Sequence, residues 1–197
     1  VNQVICHGIP SDAPLKDGDI VNIDITAFIH GVHGDTDATY LVGAVDEESR
    51  LLVERTHEAM MRGIKAAQPG RAINVIGRVI ESYARRFGYG VVRDFTGHGI
   101  GSAMHQPPDV PNYGRPGRGT RIVEGLALAI EPMVTLGSEE GLTLDDDWTV
   151  VTADGSRAAH WEHTMTVTSA GLWILTALDG GEAELTARGL PYGPLAD

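Results

Sequence analysis

Residues 19–43 read DIVNIDITAFIHGVHGDTDATYLVG and predict the β-hairpin around which the fold is built. Apolar and polar residues alternate from Val21 to Ile29, which is the period of a strand with two different faces. The His-Gly pair at 30–31 is a turn signal, so we expect the segment around Asp35 to return as the partner strand.

This hairpin brings aspartates together. In the expected register Asp24 lies opposite Asp37, and Asp35 lies diagonal to Asp24 on the same face. Diagonal cross-strand neighbours are within reach of one another, and carboxylates gathered in this way repel unless a cation lies between them. The pattern leaves two interpretations open, a bound cation or a solvated, exposed face.

Two further acids interrupt apolar segments: Glu131 within residues 126–136 and Glu162 within residues 158–168. Buried carboxylates are normally paired or bound to a metal. His98 lies in the run GHGIG, where glycines allow a positive φ or a close backbone approach. Four carboxylates and one imidazole form a hard, oxygen-rich donor set that suits two divalent ions such as Mn, Fe, Co or Zn.

Composition narrows the class of protein. A chain of 197 residues, 42% of them hydrophobic, can bury the core of one domain. Its 27 acidic and 15 basic residues give a net charge of −12, which argues against nucleic acid or an anionic membrane as the main partner. The single cysteine, Cys6, excludes an internal disulfide and is typical of a reducing compartment.

The remaining pattern predicts mixed α and β structure. Residues 46–68 and 74–87 have the apolar periodicity of two amphipathic helices. Residues 106–121 are rich in Pro and Gly and predict an ordered surface loop. We expect one domain over residues 1–178, with residues 179–197 as a tail that packs on that domain or trails from it and includes one short helical turn.

Seven motifs, in order, make the chain resemble type I methionine aminopeptidase over nearly its whole length, to about residue 176. They are CHGIP (6–10), DGDIVNIDIT (17–26), HGDT (33–36), GHGIG (97–101), AIEPM (129–133), DDWTVVT (146–152) and EHT (162–164). The resemblance implies an α+β pita-bread fold, a curved antiparallel sheet backed by helices with a central dimetal cleft. It also leads us to expect a further N-terminal segment of that family before Val1.

The resemblance also assigns roles to residues. The metal ligands it implies are Asp24, Asp35, His98, Glu131 and Glu162. It gives catalytic roles to His105, His7 and Glu131, with Glu131 as the proton shuttle, and it places Met104 and Trp148 beside the two histidines in the substrate pocket. Asp37 is not at a ligand position and is interpreted as a polar neighbour. His160 has no implied role and is interpreted as a surface or core residue.

The function implied is removal of the N-terminal Met from peptides and nascent chains when the second residue is small. The resemblance implies a cytoplasmic monomer with two divalent ions, Co, Mn, Fe or Zn. Proline-specific aminopeptidases and prolidases use the same five ligands, and a pita-bread binding module is a further alternative. A nucleotide-binding loop is disfavoured, because GHGIG lacks the third glycine of G-x-G-x-x-G.

Overall fold

The computed structural model describes residues 1–115, 117 and 119–195 of the chain. The helices are α1 (Glu47–Ala66), α2 (Asn74–Ala84), which continues into the 3-10 turn Arg85–Phe87, and α3 (Glu182–Ala187). The strands, in chain order, are β1 (Val4–Cys6), β2 (Ile20–Ile29), β3 (Val32–Leu41), β4 (Gly90–Val91), β5 (Gly97–Gly99), β6 (Gln106–Val110), β7 (Ala127–Ile130), β8 (Met133–Thr135), β9 (Gly141–Thr143), β10 (Val150–Thr152), β11 (Ala158–His160), β12 (Glu162–Val167) and β13 (Leu172–Ile174).

The strands form one large sheet and two small ones. The central sheet has the order β2-β3-β12-β7-β5-β6, and β13 pairs with the second half of β12. The small sheets have the orders β1-β10-β9 and β11-β8-β4. The pairings between these strands are antiparallel, so the mixed α+β class expected from the sequence is confirmed.

The hairpin of β2 and β3 has the register that the alternation predicts. Asp24 pairs with Asp37, which places Asp35 diagonal to Asp24. His30 and Gly31 form the turn with φ angles of 51° and 89°. Two successive positive φ angles are what a two-residue type I′ hairpin requires, because its twist matches that of the flanking strands.

β2 is more exposed than its alternating pattern suggests. Ile23 and Ile25 are 49% and 56% exposed, and Asp24 between them is exposed as well. The cause is the position of β2 at the edge of the central sheet, where only β3 pairs with it. Asp24 therefore lies at the exposed edge of the sheet and not within a packed core.

The two long helices follow the prediction closely. The Asp46 side chain accepts a hydrogen bond from the Ser49 amide at 2.8 Å and so caps the first turn of α1. Gly88 ends the second helical segment in the left-handed conformation, with φ of 77°. Gly63 of α1 lies so close to α2 that a Cβ there would be 2.9 Å from Cδ1 of Ile80. The absence of a side chain thus sets the distance between the helices.

The main core is the layer between these helices and the central sheet. Its largest fully buried side chains come from α1, α2, β7, β12 and the segment before β7, namely Met60, Met61, Ile64, Ile76, Ile80, Ile122, Leu128, Ile130 and Met165. Burial of each such side chain contributes about 1.5–3 kcal/mol. Leu185 of α3 belongs to the same cluster and is 0% exposed. None of the described helices combines the length and the apolar character needed to cross a lipid bilayer.

Two segments differ from the sequence-based expectation. The apolar run around Glu131 is not one strand, since β7 lies in the central sheet and β8 in a small sheet. The predicted loop at 106–121 begins as β6; Pro116 and Arg118 lie outside the described residues. Prolines are tolerated in β6 because it is the outermost strand of its sheet.

Candidate active site

A cavity of about 340 Å³ opens at the centre of the molecule and is lined by every site residue predicted from the sequence. These residues are His7, Asp24, Asp35, His98, Met104, His105, Glu131, Trp148 and Glu162. Further residues that line it are Thr26, Phe95, Thr96, Met133 and His160. The side chains singled out from the sequence therefore line one cavity.

Consecutive strands of the central sheet each supply one of the predicted metal ligands. In spatial order these are Asp24 on β2, Asp35 on β3, Glu162 on β12, Glu131 directly after β7, and His98 on β5. Neighbouring strands lie about 4.8 Å apart, so side chains projecting from one face of five adjacent strands converge only if the sheet curves around them. The sheet thus holds the donors in a row across its concave face.

His98 presents one nitrogen to the carboxylates. Its Nδ1 lies 3.0 Å from the carbonyl oxygen of Gly99, and because a carbonyl only accepts, Nδ1 carries the hydrogen. Nε2 then points its lone pair at Oε1 of Glu131, 3.3 Å away, and at Oδ2 of Asp35, 3.8 Å away. Burial lowers the pKa of His98. A neutral, oriented imidazole of this kind is what a metal ligand requires.

The glycines beside His98 serve close approach rather than a positive φ. A Cβ on Gly97 would lie 2.3 Å from the carbonyl oxygen of Ala129, and one on Gly99 would lie 2.4 Å from that of Pro107. Both glycines lie within β5, between β6 and β7. The segment predicted as a loop that presents His98 is therefore a short strand inserted into the sheet.

The environment of the cavity disfavours the ionised form of its carboxyl groups. Burial and then the neighbouring carboxylates raise the pKa of Glu162, and burial raises the pKa of Glu131. Partial desolvation raises the pKa of the more exposed Asp24. Oε1 of Glu162 is buried without a hydrogen-bond partner among the described residues. Donor atoms of Asp35, His98 and Glu162 all lie within 4.8 Å of one another. This donor set fits a divalent cation, which would reverse the mutual repulsion.

Two threonines fix the orientation of Asp35. The hydroxyl of Thr26 donates to its Oδ1 at 2.7 Å. The amide of Asp35 donates to Oγ1 of Thr164 at 3.0 Å, and the hydroxyl of Thr164 donates to the Asp35 carbonyl at 2.9 Å. Such outer contacts orient a ligand before an ion binds.

Aromatic and apolar side chains form the wall beside the acids. Trp148 stacks on His7 with centroids 4.9 Å apart, and Phe95 meets His7 edge-on at 5.3 Å. Met104 and Met133 line the same cavity. Phe95 and Met133 were not predicted as site residues, because nothing in their local sequence separates them from core residues.

His105 lies at the rim, exposed, with its ring edge-on to that of His98 at 4.4 Å. Burial lowers the pKa of His7. Among the described residues, neither His7 nor His105 forms an ion pair with a carboxylate, whereas His98 does. The two histidines are placed to meet a molecule that enters the cavity.

Sequence reasoning missed the importance of two other residues. Asp37, interpreted as a polar neighbour, and His160, interpreted as a surface or core residue, are 2% exposed each. Nδ1 of His160 lies 3.3 Å from Oδ2 of Asp37, and its Nε2 lies 3.8 Å from Oε2 of Glu131. Burial lowers the pKa of His160, but Asp37 and Glu131 outweigh it and raise the pKa to about 9. For Asp37 the sequence did offer one indication, because the strand alternation places it on the same face of the hairpin as Asp24.

Carboxylates and an imidazole gathered in the curved antiparallel sheet of a pita-bread fold define a metallopeptidase. The chain belongs to metallopeptidase family M24, whose sequence model matches residues 1–169. It is 57% identical over 178 residues to methionine aminopeptidase 2 of Mycobacterium tuberculosis, covering 90% of this chain and 62% of that protein. Membership of the family implies binding of divalent metal, for which the cavity offers donor clusters.

Solved structures confirm the fold. The methionine aminopeptidase of Rickettsia prowazekii matches with a TM-score of 0.86 and 47% identity, over 89% of this chain and 71% of that one. A prolidase from Pyrococcus horikoshii matches with a TM-score of 0.71 and 25% identity, over 89% of this chain and 45% of that one. The chain thus spans about two thirds of the length of the methionine aminopeptidases it resembles.

Proposed function

We propose that the chain is a metal-dependent aminopeptidase that removes an N-terminal methionine when the next residue is small. The observation that supports this most directly is the junction of two surfaces in one cavity, a carboxylate cluster and an apolar wall formed by Phe95, Met104, Met133 and Trp148. The first surface suits metal ions and the second suits an unbranched apolar side chain. Higher identity to methionine aminopeptidases than to the prolidase points the same way.

In this proposal two divalent ions are held by Asp24, Asp35, His98, Glu131 and Glu162. The charge of four carboxylates balances that of two dications, and the ions are Co, Mn, Fe or Zn. When bound, such ions lower the pKa of the attacking water and supply positive charge to the developing oxyanion. The rest of the reaction falls to side chains of the chain itself.

Glu131 is the proposed proton carrier. It is buried, and its two oxygens face His98 and His160 on opposite sides. Burial raises its pKa from the ordinary value of 4.5, which suits a group that accepts a proton and returns it. In hydrolysis, water adds to the carbonyl carbon of the first residue and the C–N bond breaks. Glu131 takes the proton of the water and delivers it to the leaving amine.

His105 and His7 are the proposed contacts to the scissile peptide. His105 lies at the rim beside His98, where its ring nitrogen can donate to the substrate carbonyl oxygen as negative charge develops there. His7 is held on two sides by Trp148 and Phe95, so its ring orientation is fixed before substrate arrives. Binding energy is then not spent on ordering it.

Selectivity comes from the wall around Met104 and Trp148. We propose that the side chain of the terminal methionine lies between them, where a thioether makes favourable contacts with aromatic edges. The next residue of the substrate would then lie against the reacting groups beside His105, where a large side chain would collide with them. A small second residue is therefore preferred.

The proposed substrates are peptides and nascent chains with a free N-terminal Met, acted on by a cytoplasmic monomer. We also propose that residues 1–178 form one domain on which residues 179–197 pack. The buried Leu185 supports this packing, as does the hydrogen bond from the Thr168 hydroxyl to the carbonyl of Gly193 at 2.7 Å. Ala196 and Asp197 lie outside the described residues.

The test is a comparison of peptide cleavage by the metal-loaded protein. We expect release of Met from Met-Ala-Ser, little cleavage of Ala-Pro peptides, and a loss of kcat on the order of a hundredfold or more in Glu131→Gln. Glu124→Gln changes an exposed glutamate outside the cavity and is the matched control. Preferential cleavage of Ala-Pro peptides would instead favour a proline-specific peptidase, and full activity of Glu131→Gln would refute the assigned proton carrier.

A further inference from the structure

Asp37 and His160 form a buried pair to which the proposed reaction gives no role. Asp37 pairs directly with Asp24 on one side and with Glu162 on the other, so three carboxylates lie side by side across β2, β3 and β12. The His160 backbone is fixed by Thr39, whose hydroxyl donates to the His160 carbonyl at 2.6 Å. Asp37 is therefore part of the same row as two of the proposed metal ligands, and His160 meets it from β11 of a neighbouring small sheet.

The polar side-chain atoms of Asp37 and His160 make no hydrogen bond among the described residues. Both carboxylate oxygens of Asp37 and both ring nitrogens of His160 are buried without a hydrogen-bond partner within the described part of the chain. The contact between Nδ1 and Oδ2 at 3.3 Å is an ionic contact only. Leaving buried polar atoms unsatisfied is costly. The contact between Nδ1 and Oδ2 does not use Oδ1 of Asp37 or Nε2 of His160, so these two atoms require a further partner.

The geometry indicates a cation as that partner. Asp24, Asp37 and His160 each offer a donor atom, and these atoms lie within 4.8 Å of one another. Asp35, His98 and Glu162 form a separate cluster, whose donor atoms also lie within 4.8 Å of one another. Each cluster contains one imidazole and two carboxylates.

Glu131 connects the two clusters. Its Oε1 lies 3.3 Å from Nε2 of His98 and its Oε2 lies 3.8 Å from Nε2 of His160. The Nε2 atoms of the two rings thus face different oxygens of the same carboxylate. The second nitrogen of each ring faces an acceptor, the Gly99 carbonyl for His98 and the Asp37 carboxylate for His160. An imidazole whose rear nitrogen faces a carboxylate is the usual arrangement of a metal-ligating histidine.

We propose that His160 is an additional metal ligand, oriented by Asp37, for the divalent ion that Asp24 also holds. This inference rests on the proposed dimetal function and adds a second imidazole to its five ligands, one for each ion. Imidazole suits Zn, Co and Fe better than Mn. We therefore expect the ion position that includes His160 to favour Zn, Co or Fe over Mn.

X-ray absorption of the protein loaded with two equivalents of Co²⁺ tests this on the unchanged chain. Scattering from imidazole rings should correspond to one ring per ion on average. His160→Gln should reduce that contribution by about half and weaken one of the two binding steps in calorimetric titration about 10- to 100-fold. Asp37→Asn should weaken the same step. His57→Gln, which removes an imidazole that contacts Trp161 outside the cavity, should change neither measurement.

A ring count of one per two ions in the unchanged protein would overturn the proposal, whether or not His160→Gln folds. The same holds if His160→Gln binds both ions with unchanged affinity. In either case two bound ions and cleavage of Met-Ala-Ser would leave the proposed function intact. A protein that binds no divalent ion would overturn both proposals together.

Discussion

Trp148 stacks on the imidazole of His7, with the ring centroids 4.9 Å apart and the planes inclined by 24°. The indole is nevertheless 58% exposed, so it contributes to the wall of the cavity more than to the core. This separates its effect on substrate binding from its effect on folding.

Replacing Trp148 by Ala should raise KM for Met-Ala-Ser about two- to tenfold, which corresponds to the roughly 0.5–1.5 kcal/mol of an aromatic pair. Trp148→Phe keeps part of the stacking surface and should lie between the two. Steady-state kinetics and a thermal melt measure the two effects, and the melt should barely move. An unchanged KM in Trp148→Ala would show that the indole does not contact the substrate.

Removal of metal should make stability fall as pH rises. The folded pKa values of Glu131 and Glu162 are raised above the ordinary 4.5, so the folded protein keeps protons that the unfolded chain has released. The free energy of unfolding then decreases with pH from about 4.5 upward. His160, with its pKa raised to about 9, adds to the loss as pH approaches that value.

Melting midpoints of the chelator-treated protein between pH 5 and 8.5 measure this slope. Adding Mn²⁺ or Co²⁺ should flatten it, because bound cations hold the carboxylates ionised. Glu162→Gln should reduce the slope of the metal-free protein, since one of the titrating groups is gone. A midpoint that rises with pH in the metal-free protein would contradict an origin of the slope in the two buried glutamates.

Gly97→Ala should destabilise the sheet and weaken metal binding together. The new Cβ would lie 2.3 Å from the Ala129 carbonyl oxygen, which forces β5 away from β7 and moves His98. Overpacking of this kind costs about 1–3 kcal/mol or more. Urea unfolding and Co²⁺ titration provide the two measurements.

Gly101→Ala is the matched control for that substitution. There the nearest atom to the new Cβ is Nε2 of Gln106 at 3.4 Å, which is an ordinary contact with a flexible side chain. We expect a change in unfolding free energy of no more than about 0.5 kcal/mol. Equal effects of the two alanines would mean that close packing around β5 is not what requires glycine.

Leu185→Ala should lower the free energy of unfolding by about 2–5 kcal/mol, because it leaves a cavity in the main core where Leu185 is 0% exposed. Leu178→Ala, at a fully exposed leucine of the same region, should have little effect. Urea unfolding distinguishes a packed tail from a trailing one. Indistinguishable midpoints for the two variants would favour the trailing tail.

Local patterns were sufficient for the parts of the fold that are local. The alternation in β2 and β3 and the His30-Gly31 turn predicted the register that places Asp24 opposite Asp37. Periodicity and punctuation predicted α1 and α2 nearly to their ends. The ordered motifs predicted which distant residues meet in the cavity, and the side chains do converge there.

Local sequence patterns could not predict which side chains are buried. Ile25 has the same alternation as a core residue, yet it is exposed because nothing described packs on the outer face of β2. His160 shows the opposite case, since its burial depends on the long-range pairing of β11 with β8 and on its contact with Thr39 of β3. Whether a polar side chain is buried beside the cavity depends on such neighbours and not on its own sequence context.

The central position of β12 has a consequence for the order of assembly. β12 lies between β3 and β7 and carries Glu162, so strand pairing joins the hairpin to the rest of the central sheet through a strand made much later. Such distant pairings form slowly because a long loop must close first. Without β12, the β3 edge that carries Asp35 and Asp37 lacks its second neighbouring strand. The cluster of carboxylates and His98 is therefore complete only once β12 has paired with β3 and β7.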